Sequence, residues 1–347
     1  MSSMHLSQLR KWMLESPPVE WGLQRLRQIL IGALRQGRIP KHIAFVMDGN
    51  RRFARSHQIE TVEGHNLGFE ALARILEVCY KSGVKVVTVY AFSIENFKRS
   101  KYEVDALMEM AKIKLNQLSQ HGQLLERYGA CIRVLGQRDL VKPDVLKAVD
   151  RAVELTKNNG DCFLNICFPY TSREEITTAI KTTVEDYSKP MSTQPPPFSQ
   201  TTISQKIDSR DLSTSPLRGT SPTPSNTSDI DGSVSSTTTL NLDSPNGGRE
   251  GSMYPDPEMI TSETIEDHLL TAGDPPLDLL IRTSGVKRLS DFMLWQCHEG
   301  TELVFLDCLW PDFDLWQFLP VLLEWQWKQK YIEEKVPTTG TDKVKLR

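Results

Sequence analysis

The side chains best suited to chemistry lie in three polar segments, each of which follows a run of apolar residues. The first segment is Met47-Asp-Gly-Asn-Arg-Arg-Phe-Ala54. Gly49 lets the backbone approach a ligand closely, while Arg51 and Arg52 bring charge and donors that suit a phosphate group. Asp48 beside them suits a hard cation such as Mg²⁺ that also binds diphosphate oxygens. The competing interpretation is an Asx-turn that only caps a helix.

The second segment is Tyr90-Ala-Phe-Ser-Ile-Glu-Asn-Phe-Lys-Arg99. It places a hydroxyl, a carboxylate, an amide and a guanidinium group on one loop, in Ser93, Glu95, Asn96 and Arg99. These groups suit contacts with a polar substrate. A polar turn with surface charges explains the same residues equally well, so this segment alone does not decide between the two.

The third segment is Ile281-Arg-Thr-Ser-Gly-Val-Lys-Arg-Leu-Ser-Asp291. Arg282, Arg288 and Ser290 place two guanidinium groups and a hydroxyl within nine residues, an arrangement that suits a diphosphate. A solvated basic loop is the competing interpretation. Glu302, four residues before the end of the last predicted strand, is a candidate for a second metal ligand or an ordinary carboxylate at a strand edge.

The common position of the three segments is a stronger argument than any one of them. Each follows a predicted strand, and ligands bind beyond the carboxyl ends of the strands in open parallel sheets. We therefore expect the three segments to form one anion site. The sequence contains no GxGxxG or Walker loop, which weighs against a nucleotide as the ligand.

The elements that must position these segments alternate along the chain. Short apolar or β-branched runs predict strands at His42–Met47, Val84–Phe92, Ile132–Leu135, Cys162–Phe168, Leu277–Ile281 and Leu303–Leu306. Helical spacing predicts helices over Gly64–Ser82, Tyr102–Tyr128, Val145–Lys157 and Ser172–Asp186. Alternating strands and helices imply crossover connections, so we expect a single α/β domain whose central, mainly parallel β-sheet is flanked by helices.

The predicted domain has one interruption. Residues 188–257 are rich in Ser, Thr and Pro and poor in apolar residues, so this segment is predicted to be a disordered insertion in a surface loop. The catalytic domain spans residues 40–330 on either side of it. Residues 1–39 form an N-terminal region and residues 331–347 a C-terminal tail.

The N-terminal region contains an amphipathic segment from Trp21 to Leu34. Such a helix suits the surface of a membrane, and it equally suits packing on its own domain or on a partner. No apolar run approaches the ~20 residues that span a bilayer. No apolar stretch followed by small residues marks a signal peptide near the start.

The composition excludes two further classes of protein. A formal net charge of −3 over 347 residues does not fit a general nucleic-acid binder. The six cysteines show no zinc-type spacing, and most lie in apolar stretches. They indicate reduced, packed thiols, which suit the cytosol or a surface that faces it.

These segments resemble the signature blocks of the cis-prenyltransferase family, which includes undecaprenyl and dehydrodolichyl diphosphate synthases. The matching blocks, in order, are His42-Ile-Ala-Phe-Val-Met-Asp-Gly-Asn-Arg-Arg52, Gly64-His65, Tyr90 to Arg99, Arg282-Thr-Ser-Gly-Val-Lys-Arg-Leu-Ser-Asp-Phe292, Leu294-Trp-Gln296 and Leu309-Trp-Pro311. They cover roughly Pro40 to Gln329 apart from the insertion. Asn96-Phe97-Lys98 and the pair Arg51-Arg52 are similar to the eukaryotic dehydrodolichyl branch.

The resemblance implies an enzyme that condenses isopentenyl diphosphate onto farnesyl diphosphate, and an apolar tunnel beside the sheet for the growing chain. The product would be a long-chain polyprenyl diphosphate for dolichol synthesis and protein glycosylation. The resemblance assigns Mg²⁺ to Asp48, with Glu302 as a second ligand. It assigns the allylic diphosphate to Gly49, Asn50, Arg51, Arg52, Phe92 and Arg99, and isopentenyl diphosphate to Arg282, Arg288 and Ser290. The implied catalytic residues are Asp48, Asn50, His65, Ser93 and Asn96.

Three features depart from the family pattern. Thr61 stands where many members carry a basic residue, and Glu302 matches the second metal carboxylate only if one extra residue is allowed after Gln296. Homomeric members end in an Arg-x-Gly motif that completes the partner's active site, and Val336–Arg347 has none. The resemblance therefore implies a heteromer with a Nogo-B-receptor-like subunit, bound peripherally to the cytosolic face of the endoplasmic reticulum membrane.

Other functions fit the residues less well. A non-catalytic scaffold subunit with the same fold is expected to lose the loop at Asp48 and the basic segment from Arg282, and this chain keeps both. A Mg²⁺-dependent phosphotransferase or phosphatase needs a nucleophile or a nucleotide loop that the sequence does not show. A trans-type prenyl synthase needs Asp-rich motifs in an all-α fold.

Overall fold

The structure is a computed structural model that describes residues 17–118, 124–190, 254–298 and 300–335. Most of the predicted insertion at 188–257 therefore lies outside the described residues, as do residues 336–347 of the predicted tail. Between Thr183 and Thr261, the structure describes only the end of one helix and the residues around a short helical turn at Pro257–Met259.

Six strands form one sheet in the order β3-β4-β2-β1-β5-β6, and every neighbouring pair is parallel. They are β1 His42–Val46, β2 Val86–Tyr90, β3 Ala130–Leu135, β4 Cys162–Cys167, β5 Leu279–Arg282 and β6 Glu302–Phe305. Each overlaps a strand expected from the sequence. All five residues of β1 are buried, as in a strand covered on both faces. The prediction of an α/β domain with a central parallel sheet is confirmed.

The helices alternate with the strands and flank the sheet. They are α1 Pro17–Leu34, α2 Asn50–Ser56, α3 Thr61–Ser82, α4 Lys101–Leu118, α5 Leu124–Arg127, α6 Pro143–Thr156, α7 Ser172–Tyr187, α8 Ser262–Glu266 and α9 Leu315–Lys335. The single helix predicted over Tyr102–Tyr128 is described as α4 and α5, and residues 119–123 between them lie outside the described part. Helix α9 continues to Lys335, so the chain is still helical where the tail was expected to begin.

Alternate residues of the strands pack against different groups on the two faces of the sheet. On one face, Phe45 contacts the rings of Trp310 and Phe318, each with ring centroids 5.8 Å apart. On the other face, Ala44 and its neighbours join a cluster that includes Phe292. The two clusters hold β1 in place between them, and β1 leads directly into the Asp48 segment.

Helix α1 has two apolar sides with different surroundings. Ile31 and Leu34 are buried against the domain, and the Leu34 carbonyl accepts a hydrogen bond from Gln326 Nε2 at 2.8 Å. Trp21 and Ile29 remain exposed, at 64% and 66%. The structure thus packs part of this helix on its own domain, one of the two alternatives expected from the sequence. None of the described helices combines the length and the apolar character needed to cross a bilayer.

Candidate active site

Three loops carry the candidate residues, and all three leave the sheet at the same edge. They follow β1, β2 and β5, which are neighbours in the sheet and run parallel. Because parallel strands present their carboxyl ends at one edge, the loops after Val46, Tyr90 and Arg282 meet there. The structure brings together the three segments that were expected to converge.

Asp48 lies where the first and third loops meet. Its Oδ2 accepts a hydrogen bond from Arg282 Nη2 at 2.8 Å, and Arg52 Nη2 lies 3.6 Å from the same oxygen. Partial burial raises the pKa of Asp48, but the hydrogen bond and charge of Arg282, with the charge of Arg52, outweigh it and leave the pKa below its ordinary value. Thr283 Oγ1 donates to the Asp48 carbonyl at 2.7 Å. The result is an ionised, partly exposed carboxylate in a fixed position.

Gly49 is required by the shape of the first loop. Its φ of 113° lies in the left-handed region, and a Cβ there would lie 3.0 to 3.1 Å from atoms of Leu309. The next residue, Asn50, begins helix α2. Gly49 therefore lets the chain turn sharply from β1 into α2 and keeps Asp48 and Asn50 at the edge of the sheet.

Asn50 is enclosed because two glycines of α3 leave space for it. A Cβ at Gly64 would lie 2.6 Å from the Asn50 carbonyl oxygen, and a Cβ at Gly68 would lie 2.3 Å from Asn50 Oδ1. Asn50 Oδ1 is buried and has no hydrogen-bond partner among the described residues. A buried, unpartnered oxygen of this kind is costly unless a ligand or water serves it.

Glu103 connects the arginines of the first and second loops. Arg99 Nη1 donates to Glu103 Oε1 at 2.8 Å, and Arg51 Nη1 lies 3.9 Å from the same oxygen. Arg99 Nη2 also donates to Asn96 Oδ1 at 2.9 Å. Glu103 was not expected to belong to the site. The available signal was its position at the start of α4, only four residues after Arg99 and so close enough along the chain for the two side chains to pair.

The rest of the second loop combines a cap and an apolar wall. Ser93 Oγ accepts a hydrogen bond from the Glu95 N–H at 3.2 Å and so caps the short helical turn that follows. Phe92 is 2% exposed and packs against Phe97 and Phe168, with ring centroids 5.0 and 5.4 Å away.

The third loop gathers two guanidinium groups around one hydroxyl. Ser290 Oγ accepts hydrogen bonds from Arg282 Nη1 at 2.6 Å and from Arg288 Nε at 3.1 Å. Arg282 is buried, with a side chain only 4% exposed, whereas Arg288 is exposed. Buried Arg282 is balanced by Asp48, and Arg288 remains open to a ligand. The two guanidinium groups of this cluster can donate hydrogen bonds to one bound anion from two directions.

His65 projects from α3 toward the same place. Its Nε2 is buried and has no hydrogen-bond partner in the part of the chain that the structure describes. Burial lowers the pKa of His65 to about 4, and the positive charge of Arg99 acts in the same direction. His65 is therefore neutral at physiological pH, with one ring nitrogen open toward the site.

These residues surround a cavity of about 620 Å³ and a smaller one of about 370 Å³ that shares several of their side chains. Every candidate residue except Glu302 lines one of the two. The larger cavity continues from the polar groups into an apolar region lined by Phe69, Leu72, Leu107, Met110, Ala111 and Leu115, among others. Its volume is within the range of small-molecule sites, about 300–1,000 Å³. The structure shows this cavity; a tunnel for a growing chain stays a prediction.

Glu302 lies elsewhere. It is the first residue of β6 and is paired in register with Leu279, the first residue of β5, whereas Arg282 at the end of β5 contacts Asp48. Its carboxylate accepts a hydrogen bond from Lys328 Nζ at 2.6 Å. The strand register therefore places Glu302 and Asp48 at opposite edges of the sheet within this chain, and a role for Glu302 as a second metal ligand stays a prediction.

The donor groups around Asp48 fit a magnesium ion that is held in part by a substrate. Among the described residues, no cluster of three or more His, Cys, Asp or Glu side chains could hold a metal ion. Mg²⁺ needs no such cluster, since it commonly binds one or two carboxylates, several waters and the oxygens of a phosphate substrate. Asp48 supplies the carboxylate, and the arginines beside it suit the phosphate.

Comparison with known proteins identifies the family of the chain. A family model described as undecaprenyl diphosphate synthase matches residues 46–333. A dehydrodolichyl diphosphate synthase complex subunit of Schizosaccharomyces pombe is 42% identical over 321 residues, which are 92% of this chain and 98% of the relative. A dehydrodolichyl diphosphate synthase complex subunit of Homo sapiens is 36% identical over 301 residues, 87% of this chain and 71% of the relative.

A solved structure has the same fold. Lavandulyl diphosphate synthase from Lavandula x intermedia, in complex with dimethylallyl diphosphate, aligns with a TM-score of 0.58 and 24% identity over 83% of this chain and 95% of that one. At this identity the likeness shows the fold alone. The family model and the relatives cover most of the chain, and from them the function of polyprenyl chain elongation follows. The chain belongs to the cis-prenyltransferase (undecaprenyl diphosphate synthase) family and is an enzyme of that class.

Proposed function

We propose that this chain adds isopentenyl diphosphate units in cis to farnesyl diphosphate, making a dehydrodolichyl-type polyprenyl diphosphate for dolichol synthesis and protein glycosylation. One observation carries the proposal. Two groups of arginines meet at Asp48 where the polar end of the cavity adjoins its apolar part. This arrangement suits a substrate with a diphosphate head and a hydrocarbon tail.

The first group holds the allylic diphosphate. Gly49, Asn50, Arg51 and Arg52 surround its head, with Arg99 opposite, and Phe92 contacts the first carbons of the tail. Two guanidinium groups on a diphosphate give paired, charge-assisted hydrogen bonds. The tail then lies along the apolar side chains of α3 and α4, where burial of each CH₂ is worth about 0.8 kcal/mol.

The second group holds isopentenyl diphosphate. Arg282 and Arg288 bind its phosphates, and Ser290, which lies within hydrogen-bond distance of both, gives a third polar contact. Substrate binding then replaces part of the pairing between Arg282 and Asp48, since the diphosphate offers the guanidinium group more negative charge than one carboxylate.

The reaction forms one carbon–carbon bond. The C–O bond of the allylic diphosphate breaks, and its electron pair leaves with the diphosphate, whose developing charge the arginines stabilise. The double bond of isopentenyl diphosphate supplies the pair that joins its terminal carbon to the allylic carbon. Loss of a proton from the second carbon of the isopentenyl unit then restores a double bond, between its second and third carbons and in cis. His65, Ser93 and Asn96 orient the substrates around these carbons.

A magnesium ion at Asp48 would supply further positive charge to the diphosphate oxygens. The residues around it have separate roles. Asp48 would hold the cation and fixes the position of Arg282, and the low pKa of its carboxyl group keeps it charged at the pH of the cytosol. The apolar walls of the cavity exclude water from the allylic carbon, so that the alkene competes as the nucleophile.

We further propose that the enzyme works as a heteromer with a Nogo-B-receptor-like subunit on the cytosolic face of the endoplasmic reticulum membrane. The relatives from S. pombe and H. sapiens are both named as complex subunits, which supports a partner. The exposed apolar side of α1, including Trp21 and Ile29, supports peripheral attachment to a membrane.

The test is the incorporation of labelled isopentenyl diphosphate into lipid from farnesyl diphosphate and Mg²⁺. It is run on the purified chain alone and with a Nogo-B-receptor-like subunit. Long-chain product only with the partner supports both the reaction and the heteromer. Product from the chain alone at full rate keeps the reaction and overturns the obligate heteromer. No product under either condition overturns the proposed reaction and favours a scaffold role.

A further inference from the structure

The loop that carries Ser290 has an unusual backbone. Ser290, Asp291 and Met293 have φ angles of 54°, 61° and 48°, so three non-glycine residues within four positions lie in the left-handed region. Non-glycine residues adopt this region at a cost, and such residues persist where the surrounding structure holds them firmly. The contacts that hold this loop therefore determine where Ser290 lies.

Several of those contacts come from the first turn of α7, more than a hundred residues earlier in the chain, and the Tyr90 hydroxyl adds a hydrogen bond to the Ser290 carbonyl at 3.3 Å. Asp291 Oδ1 accepts a hydrogen bond from the Arg173 N–H at 2.9 Å, and Oδ2 accepts one from Arg173 Nε at 2.8 Å. The Asp291 carbonyl accepts from the Ser172 N–H at 2.8 Å, and Ser172 Oγ accepts from the Leu294 N–H at 2.9 Å. Four hydrogen bonds thus join the loop to the start of α7.

The Asp291 carboxylate is the centre of this junction. Its side chain is 13% exposed, and both of its oxygens are occupied by Arg173. A negative charge beside the first N–H groups of a helix is stabilised by the helix dipole. Asp291 also has a side chain that tolerates the left-handed region better than most.

Asp291 borders the cavity, but it is unsuited to contact a diphosphate directly. A free carboxylate there would repel the anion, and here the charge is neutralised by Arg173 and directed toward α7. The immediately preceding residue, Ser290, points the other way and accepts from Arg282 and Arg288. The junction therefore fixes the one hydroxyl that both arginines share.

We propose that Asp291, held by Arg173, is a positioning residue for the isopentenyl diphosphate site formed by Arg282, Arg288 and Ser290. This inference rests on the proposed function of that site. Its action is indirect, since Asp291 keeps the loop in the left-handed conformation that aligns Ser290 with the arginines. The allylic site, which is formed by the first and second loops, does not depend on it.

The test compares variants by steady-state kinetics with each substrate varied in turn. Asp291→Ala removes both side-chain contacts, and we expect the KM for isopentenyl diphosphate to rise roughly tenfold, as for the loss of a charge-assisted hydrogen bond. The KM for farnesyl diphosphate and the kcat should change little. Arg173→Ala leaves the backbone N–H in place, so its effect should be smaller. Arg288→Ala removes a side chain that is proposed to contact the diphosphate itself. Its change in the KM for isopentenyl diphosphate is the reference for the loss of a direct contact.

The matched control is Asp150→Ala. Asp150 forms an exposed ion pair with Arg138, and neither residue lines the cavity, so its loss should leave both KM values unchanged. Asp291→Asn keeps one acceptor for the Arg173 N–H and a residue type that tolerates the left-handed region. It should recover much of the affinity for isopentenyl diphosphate. Thermal unfolding of each variant reports any general loss of stability.

A purely structural role predicts a different result, in which Asp291→Ala lowers the melting temperature and the amount of active enzyme with the KM for isopentenyl diphosphate unchanged. That result would overturn the inference. Binding of inorganic pyrophosphate, measured by calorimetry, separates this inference from the proposed function. If wild-type protein binds pyrophosphate and Asp291→Ala weakens it, Asp291 positions the anion site even where no prenyl transfer occurs.

Discussion

Opposite charges at short distance define the site at the scale of single residues. Asp48 is paired with Arg282 and lies near Arg52, while Glu103 is paired with Arg99 and lies near Arg51. Each carboxylate holds guanidinium groups in place before a substrate arrives. Such preorganisation matters because a fixed donor costs no reorganisation when charge develops on the departing diphosphate.

The titration of His65 tests the electrostatics of the unliganded site. Since burial and the charge of Arg99 lower its pKa to about 4, we expect its ring signals in NMR spectra to shift near pH 4. In the unfolded chain the pKa is about 6.5, so the unfolded state binds the proton first as the pH falls. The free energy of unfolding should therefore decrease between about pH 6.5 and pH 4. His65→Gln should remove this part of the pH dependence, and a His65 midpoint near 6.5 would contradict the description.

The residues that meet at the site were predictable where residue type and spacing suit the chemistry. Asp48, Arg51, Arg282 and Ser290 lie in segments whose composition already suits an anion. Glu103 and Asp291 were not expected, because a single acidic residue near a basic one is typical of any protein surface. Their roles depend on partners brought close by the fold, and in the case of Asp291 the partner is Arg173 on a distant helix.

At the scale of elements, the site depends on how closely α2 approaches α3. Gly64 and Gly68, one turn apart on α3, leave room for the backbone and side chain of Asn50. Trp310 closes the same region, and its Nε1 donates to the Gly68 carbonyl at 2.7 Å. Small residues on one helix face therefore decide where the amide of Asn50 points.

Gly68→Ala should separate activity from stability. The added Cβ would lie 2.3 Å from Asn50 Oδ1, so the amide must move, whereas alanine favours the helix by up to about 1 kcal/mol. We expect turnover to fall at least about tenfold, the equivalent of one hydrogen bond, while the melting temperature changes by only a few degrees. Gly32→Ala on α1 is the control, since a Cβ there meets no atom within 4 Å. Full activity in Gly68→Ala would show that the position of Asn50 does not matter.

Helix α4 provides a wall for the apolar part of the cavity. Its lining residues end at Lys114 and Leu115, roughly 20 Å along the helix from its first residue at 1.5 Å per residue. There the Lys114 ammonium lies 4.8 Å from the ring centroid of Phe69 on α3. A hydrocarbon chain that lengthens along α4 must pass this pair.

Phe69→Ala should therefore yield longer products, by one or more five-carbon units, because removal of the ring widens the cavity at this point. The distribution of product lengths is measured by mass spectrometry of the extracted lipid. Lys112→Ala is a matched control on the same helix, since Lys112 pairs with Glu109 and Asp144 and does not line the cavity. An unchanged distribution in Phe69→Ala would exclude this pair from control of chain length.

A helix or strand was predictable from the sequence where one or both of its faces are buried, because burial leaves a regular pattern of apolar residues. The six strands appear as compact apolar runs because a covered parallel sheet leaves no polar side. The position of Glu302 relative to Asp48 could not be predicted from the sequence. It lies at the start of β6, and only the pairing of Glu302 with Leu279 shows that this is the end of the sheet away from Asp48. Register between strands does not follow from the residues of one strand.

At the scale of the whole molecule, the strand order explains why the site lies where it does. The chain proceeds from β1 to β2 on one side of β1 and later places β5 on the other side. Loops that leave neighbouring strands in this way part from each other and open a crevice at the carboxyl edge. Asp48 follows β1, the strand at the centre of this arrangement.

The proposed function makes this chain the catalytic subunit of the proposed complex. The most direct test is Asp48→Ala in the purified complex with a Nogo-B-receptor-like subunit, measured as incorporation of labelled isopentenyl diphosphate with farnesyl diphosphate and Mg²⁺. We predict that turnover falls by at least about 10²–10³-fold, with complex formation and the melting temperature retained. Wild-type turnover in the Asp48→Ala complex would contradict the account and place the chemistry outside this chain.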